Sequence, residues 1–133
     1  MGGIAMILLD THAWIWWVTE SSSLSPGARR AIGRSDELGI SVISCWEVAM
    51  LVAKQRIGFS IDVQAWIDLA LQRPKIRLIP LDSAIAVLST RLPGELHSDP
   101  VDRLIAATCM TLGIPLVSKD QSITAWGHIS VIW

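Results

Sequence analysis

Residues 6–17, Met6-Ile7-Leu8-Leu9-Asp10-Thr11-His12-Ala13-Trp14-Ile15-Trp16-Trp17, decide the fold class. Four apolar residues run unbroken to an acid, and beyond Asp10 the apolar positions take up helical spacing. A short continuous apolar run reads as a strand covered on both faces, the situation of strands in a parallel sheet. The figure recurs along the chain. Residues 38–43 read as a second strand before a helix over 44–56, and residues 76–79 as a third before a helix over 82–92. Leu116 and Val117 read as the core of a fourth strand, after a helix over 99–112 and a Gly113-Ile114-Pro115 stop, and residues 129–133 as a short fifth. Two more helices fit: residues 25–35, with Ser25 as N-cap and Pro26 in the first turn, and residues 62–73, between the Gly58 turn and Pro74. Strands alternating with helices predict a three-layer α/β/α fold with a central, mostly parallel sheet of four to five strands.

A chain of 133 residues fits one domain, and at this length it needs neither disulfides nor a structural metal to hold a core. Hydrophobic residues at 51% and charged residues at 17% exclude intrinsic disorder. They also leave more apolar surface than a lone domain of this size hides, which predicts a subunit interface. The longest charge-free stretch, 104–117, is too short and too interrupted to span a membrane. The N-terminus carries neither a basic leader nor a myristoylation signal, so a cytoplasmic location is expected. Cys45 and Cys109 have no CxxC spacing and read as buried thiols. A net charge of −1 supplies no global field for a polyanion, so any nucleic acid must be held by a local groove.

In parallel α/β sheets ligands collect at the carboxyl ends of the strands. Asp10 follows the first strand, Glu47 lies in the first turn of the helix after the second, and Asp120 comes three residues after Val117. Asp99 and Asp102 share one face at the start of a helix. Each acid also has a capping role open to it: Ser44 to Glu47 has the form of a capping box, Asp99-Pro100-Val101-Asp102 that of an N-cap with an acid at N3, and Asp10 or Asp120 can start the next helix. Capping does not require the acids to converge, whereas a common sheet edge does bring them together. Four or five carboxylates in one cleft raise each other's pKa and need protons or cations to persist at neutral pH. Hard divalent cations, Mg²⁺ or Mn²⁺, take such oxygen ligands together with substrate phosphate, and the chemistry that follows is phosphoryl transfer or phosphodiester hydrolysis.

No P-loop, GxGxxG, HExxH or GxSxG motif occurs. His97, two residues before Asp99, can touch a phosphate or a leaving group or simply sit on the surface. Thr11 and Ser118, beside Asp10 and Asp120, can support a carboxylate or satisfy local turns.

The segments LLDTHAWIWW (8–17), ISVISCWEVAMLVAKQRIG (40–58), HSDPVDRLIAATC (97–109) and PLVSKDQSI (115–123), together with LSPGARRAI (24–32), resemble the PIN-domain ribonucleases, in particular the VapC-like toxins of bacterial toxin–antitoxin pairs. The similarity runs from Met6 onward. Residues 1–5 have no counterpart and read as an extension, with translation starting naturally at Met6. The resemblance implies a Mg²⁺- or Mn²⁺-dependent endoribonuclease acting on single-stranded or loop RNA, a homodimer and a cognate antitoxin. By position it assigns catalysis and metal binding to Asp10, Glu47, Asp102 and Asp120, adds Asp99 as a further acid of the DP-x-DR subgroup, and places Ser118 where Thr is usual. It also implies products with a 5′-phosphate and a 3′-hydroxyl.

RNA affinity comes largely from phosphate contacts. Arg103 and Lys119, each next to an acid, and His97 are the expected RNA contacts. Arg29, Arg30 and Arg34 read as a solvated face, and Arg73, Lys75 and Arg77 fall at the opposite end of the sheet. Of seven Trp, the set Trp14, Trp17 and Trp46 reads as core or subunit interface rather than as base-stacking platforms. Two alternatives stay open: a non-catalytic interaction module on the same fold, and a receiver-like phosphotransfer domain, for which the acid pair at the first strand is missing.

Overall fold

The computed structural model describes residues 4–133, the side chain of Ile4 excepted. Five parallel strands form one sheet in the order β3-β2-β1-β4-β5: β1 Ile4–Leu9, β2 Ser35–Ser41, β3 Ile76–Ile79, β4 Leu116–Val117 and β5 Val131–Ile132. Side chains alternate across the pleat, so Ile7 and Leu9 enter one core while Leu8 enters the other. The first core takes α1 Thr11–Val18, α2 Pro26–Arg34 and α4 Val63–Leu71, with Trp14 at its centre against Trp66. The second takes α5 Ser83–Ser89, α6 Pro100–Leu112 and α7 Gln121–Trp126. Helix α3, Val42–Ala53, touches α1, α4 and α6. None of the helices among the described residues is long and apolar enough to cross a membrane.

Several boundaries differ from expectation. β1 begins at Ile4, whose backbone pairs with Ser35, so two residues of the expected extension belong to the sheet; Met1 to Gly3 lie outside the described residues. β2 runs from Ser35 to Ser41 instead of over 38–43, because six residues of β1 draw it into register from its start. Helix α3 therefore starts earlier, with Ser41 as N-cap accepting from the Ile43 N–H at 3.2 Å. Ser44 is inside the helix, and the expected capping box with Glu47 is not made. Helix α7 is the helix that Asp120 starts; at six residues it is too short to show a helical period.

The register explains where a site forms. Leu9, the last residue of β1, pairs with Ile40 on one side and Val117 on the other. Asp10, Ser41 and Ser118 consequently stand at one level, Ser41 as the last residue of β2 and the other two just past their strands. The chain crosses from β1 to β2 on one side and returns to β4 on the other, which makes this edge a topological switch point.

Candidate active site

Helix α3 begins at this edge with Ser41 as its cap, and three other helices that begin around the cleft, α1, α6 and α7, are each capped by an aspartate. Asp10 Oδ1 accepts from the Ala13 N–H at 2.8 Å, Asp99 Oδ1 from the Asp102 N–H at 3.1 Å, and Asp120 Oδ1 from the Ser122 N–H at 2.7 Å. Capping and convergence are thus one arrangement: the caps hold the carboxylates still, and the common sheet edge puts them together. Asp102 occupies the first turn of α6, and Glu47 projects from the second turn of α3. These five acids line one open cleft of about 640 Å³.

Their mutual repulsion is visible in the protonation of Asp102. Burial, then Asp99, Asp120, Glu47 and Asp10, push its carboxyl from 3.8 up to about 7. Asp10 is also raised, chiefly by burial and slightly by Glu47, against hydrogen bonds from the Ser118 hydroxyl and the Ala13 N–H and the nearby His12. Carboxylates crowded to this density are what a divalent ion relieves. One ligand atom each from His97, Asp102 and Asp120 lies within 4.8 Å of the others, a spacing that an ion can bridge.

The supporting residues divide. Ser118, buried, accepts from the Asp120 N–H at 3.0 Å, a local turn bond, and its hydroxyl also faces the Asp10 carboxylate. Thr11 borders the cleft but donates to the Ser44 hydroxyl at 3.0 Å, tying α1 to α3 instead of orienting a carboxylate. Among the expected RNA contacts, Lys119 lines the cleft, its Nζ 5.8 Å from the Trp16 ring centre. His97 reaches Asp102. Arg103 turns away: its Nε and Nη1 donate to the Ser89 and Leu96 carbonyls, each at 2.8 Å, because those carbonyls of the α5–α6 connection lie within its reach. His12 and Trp16 also line the cleft and were missed, since nothing in the spacing of α1 marks which of its aromatic residues faces the sheet edge.

At the far end of the sheet Lys75 Nζ holds the Ile32 and Ser35 carbonyls and Arg77 pairs with Glu37 at 2.7 Å, contacts within the fold. Cys109 is buried and its thiol is pushed up to about 12, while Cys45 is half-buried and also raised. Trp14 is fully buried and its Nε1 has no acceptor among the described residues. Trp66 is buried as well, and Trp17 partly so. Trp46, by contrast, is 55% exposed, the one exposed tryptophan among the described residues.

The PIN-domain family model matches residues 7–127, a span that includes all five acids. The chain belongs to the PIN-domain family. Within the family it is similar to Ribonuclease VapC22 of Mycobacterium tuberculosis, at 35% identity over 122 residues and 92% of each chain. Its fold matches DNA-bound VapBC from Salmonella typhimurium, with a TM-score of 0.70 at 16% identity over 96% of each chain. It also matches a toxin–antitoxin complex from Klebsiella pneumoniae, with a TM-score of 0.67 at 23% identity over 96% of each chain. The α/β/α architecture with a parallel five-stranded sheet is thus the PIN fold, and the receiver-like alternative falls away.

Proposed function

We propose that this PIN-domain protein is a divalent-metal-dependent endoribonuclease acting on single-stranded or loop RNA in the cytoplasm, as the toxin of a toxin–antitoxin pair. The observation that carries the reading is the convergence of Asp10, Glu47, Asp99, Asp102 and Asp120 on one cleft, where burial and the neighbouring acids raise the Asp102 carboxyl. A non-catalytic module has no use for such an arrangement, which costs stability. Similarity to Ribonuclease VapC22 supports RNA as substrate, and likeness to toxin–antitoxin complexes supports an antitoxin partner.

Asp10, Glu47, Asp102 and Asp120 are the residues that would hold Mg²⁺ or Mn²⁺, with Asp99 at the rim. When bound, the ion lowers the pKa of water and neutralises charge at the attacked phosphate. Ser118 supports the Asp10 carboxylate and holds the Asp120 backbone, the helix caps limit the carboxylates' motion, and Lys119 offers a cation to an adjoining phosphate. Hydrolysis in this arrangement leaves a 5′-phosphate and a 3′-hydroxyl.

The chain also forms a homodimer in this proposal. An apolar groove of about 320 Å³, bordered by Ile43, Trp46, Met50, Val101 and Leu104, adjoins the acidic cleft and carries the exposed indole. Its occupant is a second copy of the chain, in keeping with a composition too apolar for a lone domain.

The deciding experiment is cleavage of a mixed single-stranded RNA pool with Mn²⁺, beside an EDTA control and Asp10→Asn. Asparagine preserves the helix cap, so the variant stays folded. Metal-dependent cutting that falls at least about 100-fold in the variant is expected, in line with removal of one essential group of a catalytic set. A folded Asp10→Asn protein that cuts at the wild-type rate refutes the assignment.

A further inference from the structure

Residues 90–98, between α5 and α6, form no helix or strand, yet they are fastened at several points. Leu92 and Leu96 are buried in the second core. Trp126 Nε1 donates to the Pro93 carbonyl at 2.7 Å, and Arg103 grips the Leu96 carbonyl at 2.8 Å. Gly94 turns with φ +65°, and a Cβ there would stand 2.9 Å from His128 Nε2. A connection this well tied is a built element rather than slack chain, and the residue it delivers is His97.

The ring of His97 has a defined orientation. Its Nδ1 accepts from the Asp99 N–H at 3.4 Å, which makes Nε2 the donor nitrogen of the ring. Nε2 lies 3.3 Å from Asp102 Oδ2 and 3.9 Å from Asp120 Oδ2. One N–H donor therefore stands directly beside two carboxylates, groups that offer only acceptors.

We propose that the 90–98 connection is a preorganised arm whose task is to hold His97 Nε2–H as a hydrogen-bond donor to a non-bridging oxygen of the bound phosphodiester. The inference rests on the nuclease reading. A phosphate entering a cleft of carboxylates needs a donor for any oxygen that faces away from the metal. Arg103 cannot serve, because its guanidinium is committed to Ser89 and Leu96. The competing role, a nitrogen ligand to the metal, places the ring proton on Nδ1, where it would face the Asp99 N–H donor to donor. Arg103 acts through this arm as a positioning residue, one position after Asp102 and bonded to the residue before His97.

The test compares wild type, His97→Ala and His97→Gln in three measurements: cleavage of the RNA pool with Mn²⁺, Mn²⁺ affinity by calorimetry without RNA, and melting temperature. His97→Ala is expected to cut about 100-fold more slowly, the order found on losing one preorganised donor. His97→Gln, whose amide N–H reaches the same point, recovers at least about tenfold of that loss. Mn²⁺ affinity stays within about twofold in both variants, and the melting temperature is unchanged, because the donor neither binds the ion nor carries the fold. A roughly tenfold weakening of Mn²⁺ binding in His97→Ala overturns the proposal in favour of a ligand role. Cleavage by His97→Ala at the wild-type rate, or a failure of His97→Gln to recover any of the loss, overturns it while leaving the nuclease reading intact. Wild-type protein that does not cut refutes the nuclease reading itself, and the inference with it.

Discussion

Replacing Asp102 with asparagine removes one negative charge from the acidic cleft while keeping a side chain of the same shape, and in the metal-free protein it should be stabilising. The Asp102 carboxyl stands at about 7 in the folded chain against 3.8 ordinarily, through burial first and four neighbouring acids second. Because the folded state binds this proton more tightly than the unfolded state, stability from this group is complete below pH ~4 and is lost as the pH rises from about 4 to about 7. Three pKa units at ~1.4 kcal/mol each set an upper bound of about 4 kcal/mol for that loss. The side chain is 26% exposed, and solvent screening reduces the figure to on the order of 2 kcal/mol. An acid in the first turn of α6 also favours the helix dipole by roughly 0.5 kcal/mol, leaving a net gain of about 1.5 kcal/mol for asparagine at pH 8. For a chain of this length that gain raises the melting temperature by about 5 °C. Thermal melts in EDTA at pH 8 and pH 4.5 measure it, with the advantage shrinking at the lower pH. Saturating Mn²⁺ reverses the order, since ligand binding stabilises the wild type by about 2.7 kcal/mol at a hundred times Kd and the variant less. An Asp102→Asn protein less stable than wild type at pH 8 in EDTA, or one whose advantage is the same at both pH values, refutes the electrostatic account of the cleft.

Thr11→Val removes the buried hydrogen bond to Ser44 and leaves that hydroxyl unpartnered inside α3, at a cost of about 1–2 kcal/mol in urea unfolding; an unchanged midpoint would show that the α1–α3 tie contributes nothing. Trp46→Asp places a charge in the apolar groove beside Glu47, and light scattering should show monomers where the wild type forms dimers, with little change in melting of the monomer because the indole is already exposed. A Trp46→Asp dimer of wild-type affinity would place the interface elsewhere.

Periodicity and punctuation made much of this molecule legible before any tertiary contact was known. A buried parallel strand is a continuous apolar run, as in β4, while β3 at the sheet edge keeps exposed Arg77 and Leu78 and was still readable from its flanking isoleucines; Ser25 with Pro26 marked the start of α2. The boundary between β2 and α3 was not. Ser41 and Ser44 are both competent caps in a run that suits strand or helix alike, and only pairing with the six-residue β1 decided between them. Seven-residue β2 extends toward the N-terminus for the same reason. The acids were visible as residue types following strands, because a carboxylate is the natural cap where a helix begins at a strand end.

What the chain's own order determined, then, is local: which segments are strands, which are helices, and which acids stand at their junctions. The tertiary structure decided what these acids share. Equal register of Leu9 with Ile40 and Val117 brings their separate junctions to one edge, and burial there raises Asp102 and Asp10 as no local sequence can. It also assigned the cations. Arg103 and Lys119 each adjoin an acid in sequence, but Arg103 finds the carbonyls of Ser89 at the end of α5 and of Leu96 in the 90–98 connection within reach, so its guanidinium goes to the fold, while Lys119 lines the cleft. Side-chain fate depends on which groups long-range packing brings within hydrogen-bond distance, and that information is spread over the whole chain.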